Sequence, residues 1–286
     1  MSAWNAPGPA FLFCPGDRPE RFAKAAAAAD VVILDLEDAV AAEHREAARL
    51  NVLGADLDPA TTVVRVNPRD SLEHDRDLQM LHESAFRTVM LAKTSSADEV
   101  RSLESFDVIA LCETPDGVLA IEEICACTNT VGVMWGAEDL VAALGGYSSR
   151  HDDGSYRDVA RFARARTLLA ARARGLVALD AVYLNFEDLD AQRAEARDAA
   201  AMGFTGTACV HPTQAAVIRE AYRPTPAQLV WAREVLDSVG EHGVDGDGDG
   251  AEDGAARGAG VARVGGLMVD GPVLAQAREI LRRGAD

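Results

Sequence analysis

The chain has 286 residues, 48% hydrophobic and 26% charged, enough for one large domain or two small ones with a sizeable core. Its 28 basic and 46 acidic residues leave a net charge of −18, which argues against nucleic acid or an anionic membrane as partner. The opening MSAWNAPGPAFLF has no basic start and no extended apolar core. No apolar run approaches the ~18 residues that suggest a membrane span, so a cytoplasmic protein is expected. The five cysteines (Cys14, Cys112, Cys125, Cys127 and Cys209) lie mostly in apolar runs. Cys125-Ala-Cys127 lacks zinc or thioredoxin spacing, so reduced, packed thiols are expected.

Eight short β-like runs follow one another: Ala10–Cys14, Val31–Leu36, Thr62–Val66, Thr88–Leu91, Val108–Cys112, Val131–Trp135, Ala181–Leu184 and Thr205–Val210. Between them lie helix-forming stretches at Pro19–Ala29, Ala41–Leu53, Leu72–Glu83, Ala97–Leu103, Pro115–Cys127, Ser155–Arg174 and Ala191–Met202. The runs are near-continuous Val, Ile and Leu, as strands buried on both faces require. Strand–helix alternation eight times over predicts an α/β fold, a (β/α)8 TIM barrel. No GxGxxG follows the first run and no GxxxxGK[ST] occurs, against a nucleotide-binding sheet.

The chemistry sits at the strand ends. Cys14 leads into Pro15-Gly16-Asp17-Arg18, a tight turn that could offer backbone N–H groups and Arg18 to a phosphate. Later ends carry Asp35, Glu37 and Asp38, then Arg65 and Asn67, Lys93, Glu113, Glu138 and Asp139, Asn185, and His211. Polar groups at all eight ends of a barrel's C-terminal face suit function better than stability. Glu113 and Asp139 fall on adjacent strands, with no obvious cationic neighbour in sequence. Such a pair suggests a hard divalent cation, Mg²⁺ above all.

Bland readings stand beside these. Glu113 could complement the dipole of the helix opening at Pro115, and Asp139 could cap a helix over 140–144. Arg65 could pair with the Asp35–Asp38 cluster in a barrel-mouth ion network and still bind substrate. His211 before Pro212 reads as a structural group.

The expected barrel domain spans 1–239, ending in a helix at Pro226–Val239. Residues 240–265, rich in Gly, Asp and Ala without apolar periodicity, read as a flexible linker. Within it Asp245-Gly-Asp247-Gly-Asp249-Gly250 resembles the start of a calcium loop, but the twelfth position is Ala256 rather than a bidentate Glu. A C-terminal segment over 266–286 follows, with an amphipathic helix over 273–281. Its acid, Asp270, could be a lid residue or a plain N-cap.

These motifs together resemble the citrate lyase beta-like branch of the HpcH/HpaI aldolase superfamily. The carriers are FLFCPGDRPERF at 11–22, VILDLEDAV at 32–40, VVRVN at 63–67, VMLAK at 89–93, ALCETPDG at 110–117, MWGAEDL at 134–140, GFTGTACVHPTQ at 203–214 and GLMVDGPVL at 266–274. The resemblance implies a usually trimeric barrel that binds Mg²⁺ and an acyl-CoA or acyl-carrier thioester. It implies making or breaking a C–C bond between an acetyl-type thioester and a 2-oxo acid. It places Glu113 and Asp139 as metal ligands, with Glu113 beside the substrate, and Arg65 as the arginine holding the substrate carboxylate or oxyanion. Asp35, Glu37 and Asp38 become an acidic cluster beneath the site. Asp270 becomes an acid delivered to a neighbouring subunit's site, and Lys93 is expected at a CoA phosphate or in a structural role. Ala92 and Asn185 depart from the pattern, standing where relatives often have Pro and an acid. The expected function is a Mg²⁺-dependent lyase of a 3-hydroxyacyl-CoA. The alternatives are a citrate lyase beta subunit using a citryl-carrier protein and a non-catalytic CoA-thioester binder.

Overall fold

The computed structural model describes residues 4–240 and 262–285. Eight parallel strands close into one barrel: β1 (Ala10–Pro15), β2 (Val31–Asp35), β3 (Thr62–Val66), β4 (Thr88–Leu91), β5 (Asp107–Cys112), β6 (Thr130–Trp135), β7 (Val177–Asp180) and β8 (Gly206–Cys209). Each pairs with the next, and β8 returns to β1 through Ala10–Leu12 against Thr207–Cys209. Side chains alternate faces along a strand, so residues two apart share one. Phe11, Val31, Ile33, Val63, Met90, Ile109, Leu111, Leu179 and Ala208 form one buried cluster. The same parity carries Asp35, Arg65 and Glu113 up from Ile33, Val63 and Leu111, and the β2–β3 register sets Asp35 directly against Arg65. The apolar interior thus continues into a charged rim at the C-terminal strand ends.

The seventh strand corrects the expectation of Ala181–Leu184. Helix Asp158–Arg172 ends ahead of Gly175, whose left-handed φ of 69° turns the chain into β7 four residues early. The strand-end group is therefore the buried acid Asp180, and Asn185 lies in the loop beyond. Asp180 accepts from Trp135 Nε1 at 2.7 Å and from Arg164 Nη2 at 2.7 Å. The helix itself packs inward through Ala160, Ala163, Thr167, Ala170 and Ala171, small residues that let it lie close to the barrel. The helix expected over Pro115–Cys127 is broken at Ala120 into Pro115–Leu119 and Ile121–Cys125. All five cysteines are buried and free, and burial pushes the Cys209 thiol up to about 12.

The chain divides into two compact units between Ala221 and Tyr222. The boundary expected at 239 therefore moves, because helix Pro226–Gly240 packs Ala232 and Val235 against Val269 and Ala277 of the C-terminal segment. At its start Thr225 and Gln228 satisfy each other's backbone N–H groups in a capping box. Most of the 240–265 stretch, including the calcium-loop-like Asp245–Gly250, lies outside the described residues. Residues 262–264, expected to be linker, form a strand. Ala262–Val264 pairs antiparallel with Leu267–Val269 through a Gly265-Gly266 turn at φ 56° and 83°. Helix Gly271–Ala285 follows. No described helix is long and apolar enough to cross a membrane.

Candidate active site

Arg65 anchors the rim. Its guanidinium meets Asp35 with two parallel hydrogen bonds, Nε to Oδ1 at 2.7 Å and Nη2 to Oδ2 at 2.6 Å. Asp35 is fully buried and also accepts the Glu37 and Ala39 N–H groups at 2.9 and 3.0 Å, so it cannot turn away. Nη1 lies 3.2 Å from Glu37 Oε2, and the guanidinium covers the Phe13 ring at 4.8 Å. Burial works against the Arg65 charge, but Asp35, Glu37 and Glu113 outweigh it and hold the group more basic than usual. A bidentate, stacked arginine of this kind is a pre-oriented cation.

Glu113 follows β5 directly and is only 2% exposed. Its Oε1 accepts the Lys93 N–H at 3.2 Å. Glu113 is not serving the next helix, since Thr114 caps that one by accepting from the Gly117 N–H at 3.1 Å. Burial, then the nearby Asp139 charge, raises the Glu113 carboxyl to about 8, against the pull of Arg65 and Lys93. Gly136 makes the approach possible: a Cβ there would fall 2.5 Å from Glu113 Oε2. Asp139 sits in the first turn of helix Ala137–Ala143, with Gly136 at the cap position, so it is not the cap of a helix at 140. Neighbouring Glu138 is occupied elsewhere, accepting from Ser149 Oγ at 2.6 Å.

Lys93 corrects the expectation that the acid pair lacks a cationic neighbour. It follows β4 with φ 51°, the one non-glycine residue in the left-handed region among the described residues. Such a backbone costs on the order of 1–2 kcal/mol. Its Nζ pairs with Glu37 and lies 3.4 Å from Asp38 Oδ2, 3.5 Å from Asp139 Oδ1 and 4.0 Å from Glu113 Oε1. Burial works to lower its pKa, but the Glu37 hydrogen bond and the other carboxylates outweigh that and hold it above the usual lysine value. With four carboxylates around it, this ammonium is not free for a CoA phosphate. Adjacency of β2, β3, β4, β5 and β6 brings these groups together across residues 35 to 139, which spacing in sequence hides.

The Pro15–Arg18 turn differs from expectation in a similar way. The Gly16 N–H donates to Asp35 O at 2.8 Å and the Arg18 N–H to Pro15 O at 3.1 Å, so neither is offered to a phosphate. The half-exposed Arg18 side chain remains, with Asp17 and Glu20 at 4.0 and 3.9 Å. His211 stacks on Phe186 at 5.1 Å, and its Nδ1 lies 2.8 Å from Thr213 Oγ1. Asp270 belongs to the C-terminal unit, where its Oδ1 accepts the Val273 N–H at 3.2 Å as an N-cap. Sequence reasoning missed Asp180 and its partners Trp135 and Arg164; the signal was Gly175, a helix stop that moves the strand forward.

Among the described residues no group of three or more His, Cys, Asp or Glu is arranged to hold a metal ion by itself. Glu113 and Asp139 nevertheless fit a hard divalent cation. They are oxygen donors only, and their mutual repulsion is visible in the raised Glu113 carboxyl. Mg²⁺ is commonly held by one or two carboxylates, with water and substrate completing its shell.

A closed parallel barrel with paired acids and a fixed arginine on its C-terminal rim defines a barrel enzyme with its chemistry at the strand ends. The chain belongs to the HpcH/HpaI aldolase/citrate lyase family, which it matches over residues 10–212, and it is a lyase of that family. It is 52% identical to a citrate lyase subunit beta-like protein of Mycobacterium tuberculosis over 282 residues, covering 99% of this chain and 97% of the relative. It is 32% identical to the mitochondrial citramalyl-CoA lyase of Homo sapiens, over 95% of this chain and 84% of that one. The crystal structure of M. tuberculosis CitE with magnesium, acetoacetate and coenzyme A superimposes with a TM-score of 0.90 at 52% identity, covering 98% of this chain and 99% of that one.

Proposed function

We propose that the chain is a Mg²⁺-dependent carbon–carbon lyase acting on a 3-hydroxyacyl-CoA of the malyl, methylmalyl or citramalyl type. The products are acetyl-CoA or propionyl-CoA and a small 2-oxo acid, and the reverse condensation uses the same site. The observation that carries this reading is Arg65, buried and locked by Asp35 on the same rim as Glu113 and Asp139. The magnesium and coenzyme A in the M. tuberculosis structure, and the thioester named for the human relative, support it.

Cleavage removes the proton of the 3-hydroxyl, breaks the bond to the carbon bearing it, and returns a proton to the thioester carbon. Arg65 supplies fixed positive charge for the carboxylate or the enolate oxygen, with no reorganisation as charge develops. Glu113 and Asp139 would hold the cation, which supplies Lewis-acid polarisation of the hydroxyl and carboxylate oxygens when bound. Asp35 positions Arg65, while Glu37 and Asp38 balance Lys93. Arg18 is the cation left at the first turn for a CoA phosphate. Asp270, carried on the C-terminal segment, exchanges the proton of the acetyl carbon, reaching a neighbouring subunit's site in a homotrimer. The working compartment on this reading is the cytoplasm.

A panel of hydroxyacyl-CoA thioesters, incubated with the purified protein and followed by mass, tests the substrate class. Release of acetyl-CoA or propionyl-CoA is expected. Turnover of a carrier-protein thioester with every free CoA thioester inert would assign the citrate lyase beta role instead. Binding without product would assign a non-catalytic one.

A further inference from the structure

Lys93 stands where a bound divalent cation would meet it. Two of the four carboxylates around its ammonium, Asp139 at 3.5 Å and Glu113 at 4.0 Å, are the pair assigned to the metal. The other two, Glu37 and Asp38, follow β2 and accept hydrogen bonds from the ammonium. The residue is tied to the metal pair twice, since its backbone N–H also donates to Glu113 Oε1 at 3.2 Å. Glu37 Oε2 is buried and, although 3.2 Å from Arg65 Nη1, receives no hydrogen bond. Glu37 and Asp38 hold the ammonium by hydrogen bonds, whereas Glu113 and Asp139 meet it only as ion pairs.

We infer that Lys93 is the resident cation of the metal-free site: through its ion pairs it holds Glu113 and Asp139 together, contends with the divalent cation for them, and yields by giving up those two pairs while keeping its hydrogen bonds to Glu37 and Asp38. The inference rests on the Mg²⁺ reading above. An ammonium within 4.0 Å of both assigned ligands would repel any divalent cation that they held, strongly so in a partly buried site. The lysine thus lowers divalent affinity while keeping the acids from splaying apart when no metal is bound. That combination lets one site be pre-formed and still release its ion and product.

The test titrates Mg²⁺ calorimetrically into wild type, Lys93→Met, Lys93→Asn and Lys93→Arg, with folding checked by circular dichroism in Mg²⁺. Thermal midpoints are read in EDTA and in Mg²⁺. Asn tolerates the left-handed backbone and so separates charge from strain. Met and Asn are expected to bind Mg²⁺ ~10-fold tighter or more, to melt below wild type in EDTA, and to recover in Mg²⁺. Arg, which keeps the charge, is expected to restore wild-type affinity. Folded Met and Asn variants with unchanged or weaker affinity would overturn the inference and leave the metal reading standing. Wild type that binds no Mg²⁺ would overturn both.

Discussion

Gly136→Ala isolates the geometry of the acid pair from its charge, because it adds one methyl group and removes nothing. The new Cβ would fall 2.5 Å from Glu113 Oε2 and 2.8 Å from Glu113 Cβ. Ordinary carbon contacts lie at ~3.5–4.0 Å, so Glu113 or the β6 end must move by roughly 0.7–1 Å. Gly136 follows β6, where every residue of the strand is buried, and Glu113 is itself 2% exposed, so neither can swing into solvent. Overpacking of this kind costs about 1–3 kcal/mol of stability. A catalytic group misplaced by ~1 Å can cost ~100-fold in rate. Thermal midpoint, Mg²⁺ affinity and kcat measured on one preparation should therefore fall unequally, with a modest loss of stability and a large loss of kcat. Gly54→Ala is the control, since its Cβ would meet Leu50 O at an ordinary 3.5 Å. A Gly136→Ala protein with wild-type Mg²⁺ affinity and kcat would show that Glu113 is not held where its contacts put it.

Three further outcomes are expected. Asp35→Asn leaves the Arg65 guanidinium buried with half its pairing lost, and breaking such a pair costs ~3–5 kcal/mol in denaturant unfolding; a loss under about 1 kcal/mol would contradict the locked-arginine account. Glu113 titrates near 8 in the folded chain against an ordinary 4.5. Between those values the native protein keeps a proton that the unfolded chain has lost. Metal-free stability should therefore fall as pH rises through that window and level off above it. Mg²⁺ affinity should climb over the same range by up to about tenfold per pH unit, and Glu113→Gln should flatten both profiles. Mixing inactive Asp270→Ala with inactive Glu113→Ala subunits should restore part of the activity; no rescue despite proven subunit exchange would place Asp270 at its own subunit's barrel.

Much of the barrel was legible because most of its strands are short apolar runs with a polar or charged group at or soon after the end. The period of two then put Asp35, Arg65 and Glu113 on the face shared with Ile33, Val63 and Leu111. β7 was misplaced because Leu176 to Val182 is apolar except for Asp180, and periodicity does not say which four residues pair. The left-handed Gly175 decides that, through the helix it ends. The acid pair was legible as a pair, but not the ammonium between its members and the β2 acids. Lys93 is 20 residues from Glu113, and only the turn of its backbone to φ 51° and the closure of neighbouring strands bring Nζ to all four carboxylates. The N-terminal turn failed for a related reason. Spacing marks Pro15-Gly16-Asp17-Arg18 as tight, yet the Gly16 N–H is used by Asp35 O on the adjacent strand. The helix at Pro226 was legible from its apolar pattern after the proline, while its partner was decided by tertiary packing of Ala232 and Val235.

The most direct measurement follows C–C cleavage of a citramalyl- or malyl-type CoA thioester by mass, with Mg²⁺ or EDTA, in wild type and Glu113→Ala. Acetyl-CoA and the 2-oxo acid should appear together in Mg²⁺, stop in EDTA, return when Mg²⁺ is restored, and fail in the variant. Turnover that persists in EDTA or in Glu113→Ala would contradict the account.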